Sequence, residues 1–279
     1  MKLAPHLHRL GNDIVASYLI DAPEGITLID AGMPGHWKDL QEEMTSLGRP
    51  LSDIKGLILT HGDSDHIGFA ERLRAEHGVP VFVHAADAER ARTGEKPKTP
   101  MGPSKLGPML GFMTYGIRKK ALRPIYVKEV SEIADGDVLD LPGAPVIIGM
   151  PGHSPGSVAV HVPMADAVFV GDALTTRHVL TGRDGAQPAP FTDDPSGADA
   201  SLDRLTRRSV ELRVWNDPVE RAIRRGKIAV RREPVEHHDS SHPLPLITLR
   251  LDESRRRPSH RPLGTPRTAS RLRPGHGPQ

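Results

Sequence analysis

In the ten residues Leu57-Ile58-Leu59-Thr60-His61-Gly62-Asp63-Ser64-Asp65-His66 an apolar run gives way to two imidazoles and two carboxylates. Small Gly62 and Ser64 let the chain turn tightly between them. Two His and two Asp are enough to hold one or two divalent ions at about 2.0–2.2 Å. A single Asp or His here would be read as structural, and Asp65 alone fits a helix N-cap. Four such residues directly after a buried strand favour ligation. Two later stretches repeat the placement. Gly152-His153-Ser154-Pro155-Gly156-Ser157 follows an apolar run at Val146 to Ile148, and Val168-Phe169-Val170-Gly171 ends in Asp172. With no cysteine in the chain, thiolate ligands, disulfides and a cysteine nucleophile are excluded. His61, Asp63, Asp65, His66, His153 and Asp172 are therefore the candidate metal ligands.

These residues need strand ends to converge. Ile14 to Ile20 and Ile26 to Ile29 read as two strands, and the turn residues Ala22-Pro23-Glu24-Gly25 between them predict a hairpin. His36 to Leu47 has helical apolar spacing and stops at Gly48. Gly56 to Thr60 is a strand, Ile67 to His77 a helix with His66 at its start, and Val81 to His84 a strand. Such alternation marks an α/β layer, in which ligands gather at the carboxyl ends of strands. His84 is read as a strand-end cap. Residues 92–124 are rich in Gly, Pro, Lys and Met and are read as an insertion or lid with one helix. Strands return at Val138 to Leu141, Val146 to Ile148, Ser157 to Val162 and Ala167 to Val170, and helical patterns follow at 197–207 and 216–229.

The chain has 279 residues, 27 of them Gly and 27 Pro, and a net charge of +2. That balance argues against a dedicated nucleic-acid binder, which needs a basic face. No run of about 18 apolar residues predicts a membrane span. Residues 1–10 do not read as a signal peptide, so a soluble cytoplasmic protein is expected. Residues 231–279 form a low-complexity basic segment, expected to stay disordered because it has little apolar surface to bury.

The blocks around His61–His66, His153 and Asp172, in this order, resemble the metallo-β-lactamase superfamily. The family pattern is Thr-His-x-His-x-Asp-His, a His within Gly-His-(Ser/Thr)-Pro-Gly, an Asp ending an apolar strand, and a late Gly-His. Leu28-Ile29-Asp30-Ala31-Gly32 also matches a family strand-ending Asp, which implies that Asp30 supports the ligands. The resemblance covers about residues 10–229 and implies a four-layer αβ/βα sandwich, taken here as the domain 1–230. It implies two divalent ions, with Zn²⁺ first and Fe or Mn open. His61, Asp63 and His153 would surround one ion, and Asp65, His66 and Asp172 the other, with Asp172 bridging. Two departures are visible. Asp63 stands where most members have His, and its harder oxygen tilts preference towards Fe or Mn. The late His is missing from Arg208 to Val214; Pro274-Gly275-His276-Gly277, His237, His238 and His242 are distant substitutes, and His178 is read as facing substrate or solvent.

The implied activity is hydrolysis of an ester, thioester, lactone or related bond in a small molecule by a metal-bound hydroxide, with Asp65 also catalytic. The alternatives are a diiron redox enzyme, since flavodiiron proteins resemble this pattern and carry a carboxylate where Asp63 sits, and a non-catalytic member of the fold. No nucleic-acid or membrane partner is expected.

Overall fold

The computed structural model describes residues 1–95, 102–207 and 213–214. The expected helix at 216–229, the basic segment 231–279 and the distant His residues lie outside them. Seven strands make the first sheet in sequence order: β1 (Lys2–Ala4), β2 (Leu7–Gly11), β3 (Ala16–Ala22), β4 (Gly25–Ile29), β5 (Ile54–Ile58), β6 (Val81–His84) and β7 (Ser131–Ile133). Pairing is antiparallel from β1 to β4 and parallel from β4 to β7. The second sheet holds β8 (Val146–Gly149), β9 (Val158–Val162), β10 (Ala167–Phe169) and β13 (Arg213–Val214), in the order β13-β10-β9-β8. A hairpin of β11 (Thr175–Arg177) and β12 (Asp184–Gln187) stands apart.

Side chains alternate across each strand, so each buried strand feeds two cores. Tyr18, Ile20, Ile29 and Ile58 of the first sheet meet Ile147, Val158, Val160, Val162 and Phe169 of the second. Leu19, Ile26, Leu28 and Leu57 point the other way, onto α1 (Trp37–Leu47), α2 (Ala70–His77) and α3 (Ala88–Thr93). Behind the second sheet, Ile148, Ala159 and Val168 pack with Leu202 of α5 (Pro195–Arg207). The layers are therefore helices, sheet, sheet, helix: the αβ/βα sandwich. Among the described residues no helix is long and apolar enough to cross a membrane.

Helix α1 follows from Trp37, Leu40 and Met44, spaced three and four apart and buried, and it ends at Gly48 with φ 67°. Three departures from the sequence reading have a visible physical cause. The N-terminus forms four strands rather than two, because His8 and Arg9 of β2 look polar yet are buried; His8 Nδ1 meets Glu43 Oε1 of α1 at 2.7 Å. Val138 to Leu141 makes one isolated bridge, to Val146, instead of a strand. Its backbone is engaged in a local turn, with Leu141 N–H donating to the Leu139 carbonyl. Helix α2 begins at Ala70 with Phe69 as N-cap, so Asp65 does not cap it and His66 does not start it. The intervening backbone bonds elsewhere: Gly68 N–H donates to Gly32 O (2.7 Å), and His66 O accepts from Ala31 N (2.6 Å). A Cβ on Gly68 would lie 2.1 Å from the Met33 carbonyl carbon, so this crossing requires glycine.

The 92–124 region contains one long helix, α4 (Leu106–Arg118). Lys119 Nζ donates to both oxygens of Asp39 (2.8 and 2.6 Å), and Gly35 N–H donates to Lys119 O. His36 Nδ1 accepts from Met33 N–H (2.8 Å), so its Nε2–H is the donor to Tyr115 Oη at 2.7 Å. Burial, helped by Lys119, holds His36 down to about 4, while burial raises the Tyr115 phenol to about 12. His36 titrates lower folded than unfolded, so the stability it supports is complete above pH 6.5 and is lost as pH falls to about 4. The gap corresponds to about 3 kcal/mol. Urea titrations in chelator across this window should show the wild-type advantage over His36→Gln shrinking by that order; parallel curves would contradict the assignment.

Candidate metal centre

The carboxyl end of β5 continues through Leu59 and Thr60 into His61, the loop after β8 carries His153, and Asp172 lies just past β10. Val158 N–H donates to Thr60 O at 2.8 Å and joins the two sheets at this end. Gly171 has φ 51°, and a Cβ there would lie 2.5 Å from Thr60 Oγ1, so glycine lets the Asp172 turn close against Thr60.

All three imidazoles have the same arrangement. His66 Nδ1–H donates to Asp30 Oδ2 (2.9 Å). Thr60 Oγ1 gives its proton to Asp30 (2.8 Å), so it accepts from His61 Nδ1–H at 3.0 Å. Thr192 Oγ1 gives its proton to Ala189 O, so it accepts from His153 Nδ1–H at 3.1 Å. Each ring thus presents Nε2 to a common centre, as second-layer acceptors arrange metal-binding His. His153 Nε2 lies 3.2 Å from Asp63 Oδ2 and 3.8 Å from Asp172 Oδ2; His66 Nε2 is 3.6 Å from Asp172 Oδ1. His61 Nε2 is buried, makes no hydrogen bond and stands 3.6 Å from Asp63 Oδ2. A buried imidazole nitrogen left without a proton partner, facing carboxylates, is what a cation would satisfy, so these residues fit a divalent metal.

Among the described residues, two groups bring their ligand atoms within 4.8 Å of one another: His61, Asp63 and His153, and His61, His66 and Asp172. The first is the trio expected around one ion. In the second, His61 joins His66 and Asp172, while Asp65 lines the same pocket beside them. The charges are tightly coupled. Burial and the neighbouring His66 and His153 push His61 well below its ordinary range. For His66 burial opposes charge, but Asp30 and Asp172 outweigh it and hold the ring well above that range. Burial would raise Asp63, yet His153, His61 and Arg90 bring it down to about 2. Burial would likewise raise Asp172, but His66 and the other two imidazoles hold it far below the carboxylate range. Asp65 is raised, by burial and by the charges of Asp172 and Asp63.

Several supporting residues are not among the candidates read from the sequence. Asp87, fully buried after β6, accepts from Gly62 N–H (2.8 Å), Gly156 N–H (2.7 Å) and Ser154 Oγ (2.6 Å). One carboxylate thereby clamps the His61 and His153 loops together. Arg90 of α3 lies 3.3 Å from Asp63 Oδ1 and 2.7 Å from Asp193 Oδ2. Asp87 sits past a strand end, as the ligands do, which was its only clue. His84 Nδ1 accepts from Ala86 N–H, the strand-end cap expected of it. His178 Nδ1 accepts from Leu180 N–H in the β11–β12 turn.

The profile of the Metallo-beta-lactamase superfamily matches residues 10–215. The chain belongs to this superfamily. It is 30% identical over 214 residues to "Probable metallo-hydrolase YflN" of Bacillus subtilis, covering 72% of this chain and 80% of that one. A hydroxyacylglutathione hydrolase of Cereibacter sphaeroides is 29% identical over 122 residues, 43% of this chain and only 34% of the relative. BJP-1, a subclass B3 metallo-β-lactamase of Bradyrhizobium japonicum, superposes with a TM-score of 0.60 at 19% identity, over 89% of this chain and 85% of that one, a likeness of fold. Within the superfamily, metal binding and hydrolase character are the supported common ground.

Asp87→Ala leaves three donors without their acceptor. It should cost about 3 kcal/mol or more in stability and weaken divalent-metal affinity about 10–100-fold. Competition against a chromophoric chelator measures the affinity; wild-type binding in the variant would contradict the clamp.

Proposed function

We propose that this chain is a binuclear metallo-hydrolase that cleaves an ester, thioester or lactone carbonyl bond in a small molecule. The observation that carries this reading is the convergence of three imidazole Nε2 atoms on Asp63 and Asp172, with His66 and Asp172 also lining a pocket. His61, Asp63 and His153 would hold one divalent ion, and Asp65, His66 and Asp172 the other, with Asp172 shared. Zn²⁺ is the first candidate, and the oxygen of Asp63 keeps Fe or Mn open. Ions bound there supply Lewis acidity, bringing water towards ionisation near neutral pH and polarising a carbonyl.

The chain's own residues do the rest. Asp65 lines the pocket next to His66 and Asp172, where a carboxylate can take and return a proton. It accepts the proton of the attacking water; the water oxygen bonds to the carbonyl carbon. The carbon–oxygen or carbon–sulfur bond breaks, and Asp65 gives the proton to the leaving group. Ile14, Phe112 of α4, Val179 and Phe191 wall the same pocket and would exclude bulk water around an apolar acyl part. The hydroxyacylglutathione hydrolase relative favours thioesters first among these bonds.

Asp65→Ala should lower kcat/KM on p-nitrophenyl esters or acyl thioesters by about 10²–10⁴. The loss should exceed any accompanying loss of bound metal, measured on the same preparation. Unchanged hydrolysis by the variant would sink this role.

A further inference from the structure

Helix α4 is fixed on its inner side and bare on its outer side. Inside, Tyr115 bonds His36, Lys119 grips Asp39, and Lys105 N–H donates to Leu180 O; Phe112 reaches the pocket. Outside, Leu106, Leu110, Met113 and Ile117 recur at spacings of four, three and four, which puts them on one stripe of the helix. They are 85%, 57%, 51% and 59% exposed, and Leu122 and Ile125 continue the surface at 80% and 47%. Exposures of this size show that no other part of the described structure covers this face. Contiguous large apolar groups in water mark an interaction surface.

The charge around the stripe identifies the kind of partner. From residue 102 to 128 the sequence holds four Lys and two Arg and neither Asp nor Glu. Lys105, Arg118, Lys120, Arg123 and Lys128 are all exposed, flanking the stripe and the residues that follow it. A two-fold contact with a second copy would set this all-basic collar against itself, which disfavours self-association. The C-terminal segment 231–279, with ten Arg against five acidic residues, is also basic and is a poor match. An apolar stripe within a basic collar complements a lipid surface that is apolar inside and anionic outside.

We propose that the outer face of α4 docks on the surface of an anionic lipid bilayer, with Leu106, Leu110, Met113 and Ile117 in the interfacial layer and Lys105, Arg118, Lys120 and Arg123 on the lipid headgroups. Nothing in this contact spans the bilayer. The lack of a spanning segment predicts no membrane partner, but a helix lying in the interface needs no such segment. Because α4 is both the docking element and a wall of the pocket, docking would place the site mouth near the lipid surface. The proposal does not depend on the hydrolase reading, since vesicle binding is read without turnover.

The test is flotation of the full chain with vesicles of pure phosphatidylcholine and with vesicles that also contain phosphatidylglycerol. Wild type should partition onto the anionic vesicles at least tenfold more than onto neutral ones, and less as salt rises. Leu110→Glu/Met113→Glu alters only exposed side chains. It should keep the wild-type melting temperature and lose at least tenfold of the binding; Arg118→Gln/Lys120→Gln should weaken binding to anionic vesicles alone. Three results would overturn the proposal: no wild-type binding to anionic vesicles, binding undiminished in Leu110→Glu/Met113→Glu (which assigns it to the basic C-terminal segment), or a wild-type dimer on gel filtration that this double variant converts to monomer.

Discussion

Asp30 is the carboxylate on which the geometry of the centre depends. It ends β4 with φ 60°, a left-handed conformation that its short polar side chain tolerates. Its oxygens take the Thr60 amide and hydroxyl and the His66 Nδ1–H. Through Thr60 it also sets the tautomer of His61, whose Nδ1–H rests on the Thr60 hydroxyl. One buried acid thus aims two imidazoles, from residues that lie next to strand ends on parallel neighbours β4 and β5. The chain passing behind, at Gly68, can come close enough to complete the arrangement only because it lacks a side chain.

Asp87 performs the matching task for the second sheet, tying the His61 loop to the His153 loop. The sandwich brings these loops to one edge, and the two buried acids remove their remaining freedom. The cost is electrostatic. Asp63, Asp65 and Asp172 are held together with three imidazoles where burial penalises every charge. Arg90 offsets part of the charge on Asp63. Such a cluster is stable as an assembly and intolerant of losing one partner, and a divalent cation would relieve the repulsion among its carboxylates, which couples metal binding to stability.

Much of this was legible in the residues. The strand ending at His61, the hairpin of β3 and β4, α1 with its Gly48 stop, and the strands leading to His153 and Asp172 follow from apolar period and turn chemistry. Asp30 as a supporting acid came from resemblance alone. What stayed hidden was set by tertiary contact. His8 and Arg9 are polar by type yet sit in a buried strand. His66 looked like the start of a helix because local sequence does not show that the backbone of residues 66–69 bonds to the Asp30 loop. Asp87 and Arg90 come from a segment with no pattern of its own, and their role exists only once the two sheets face each other. The position of the family's late His falls on 208–214, of which the structure describes only the two residues of β13.

The most direct test of a binuclear centre is the metal content per chain of protein purified without chelator, measured by inductively coupled plasma mass spectrometry. The account predicts two equivalents of divalent metal, falling to at most one in His61→Ala, because His61 is proposed to hold one of the two ions. One equivalent or none in the wild-type chain would contradict it.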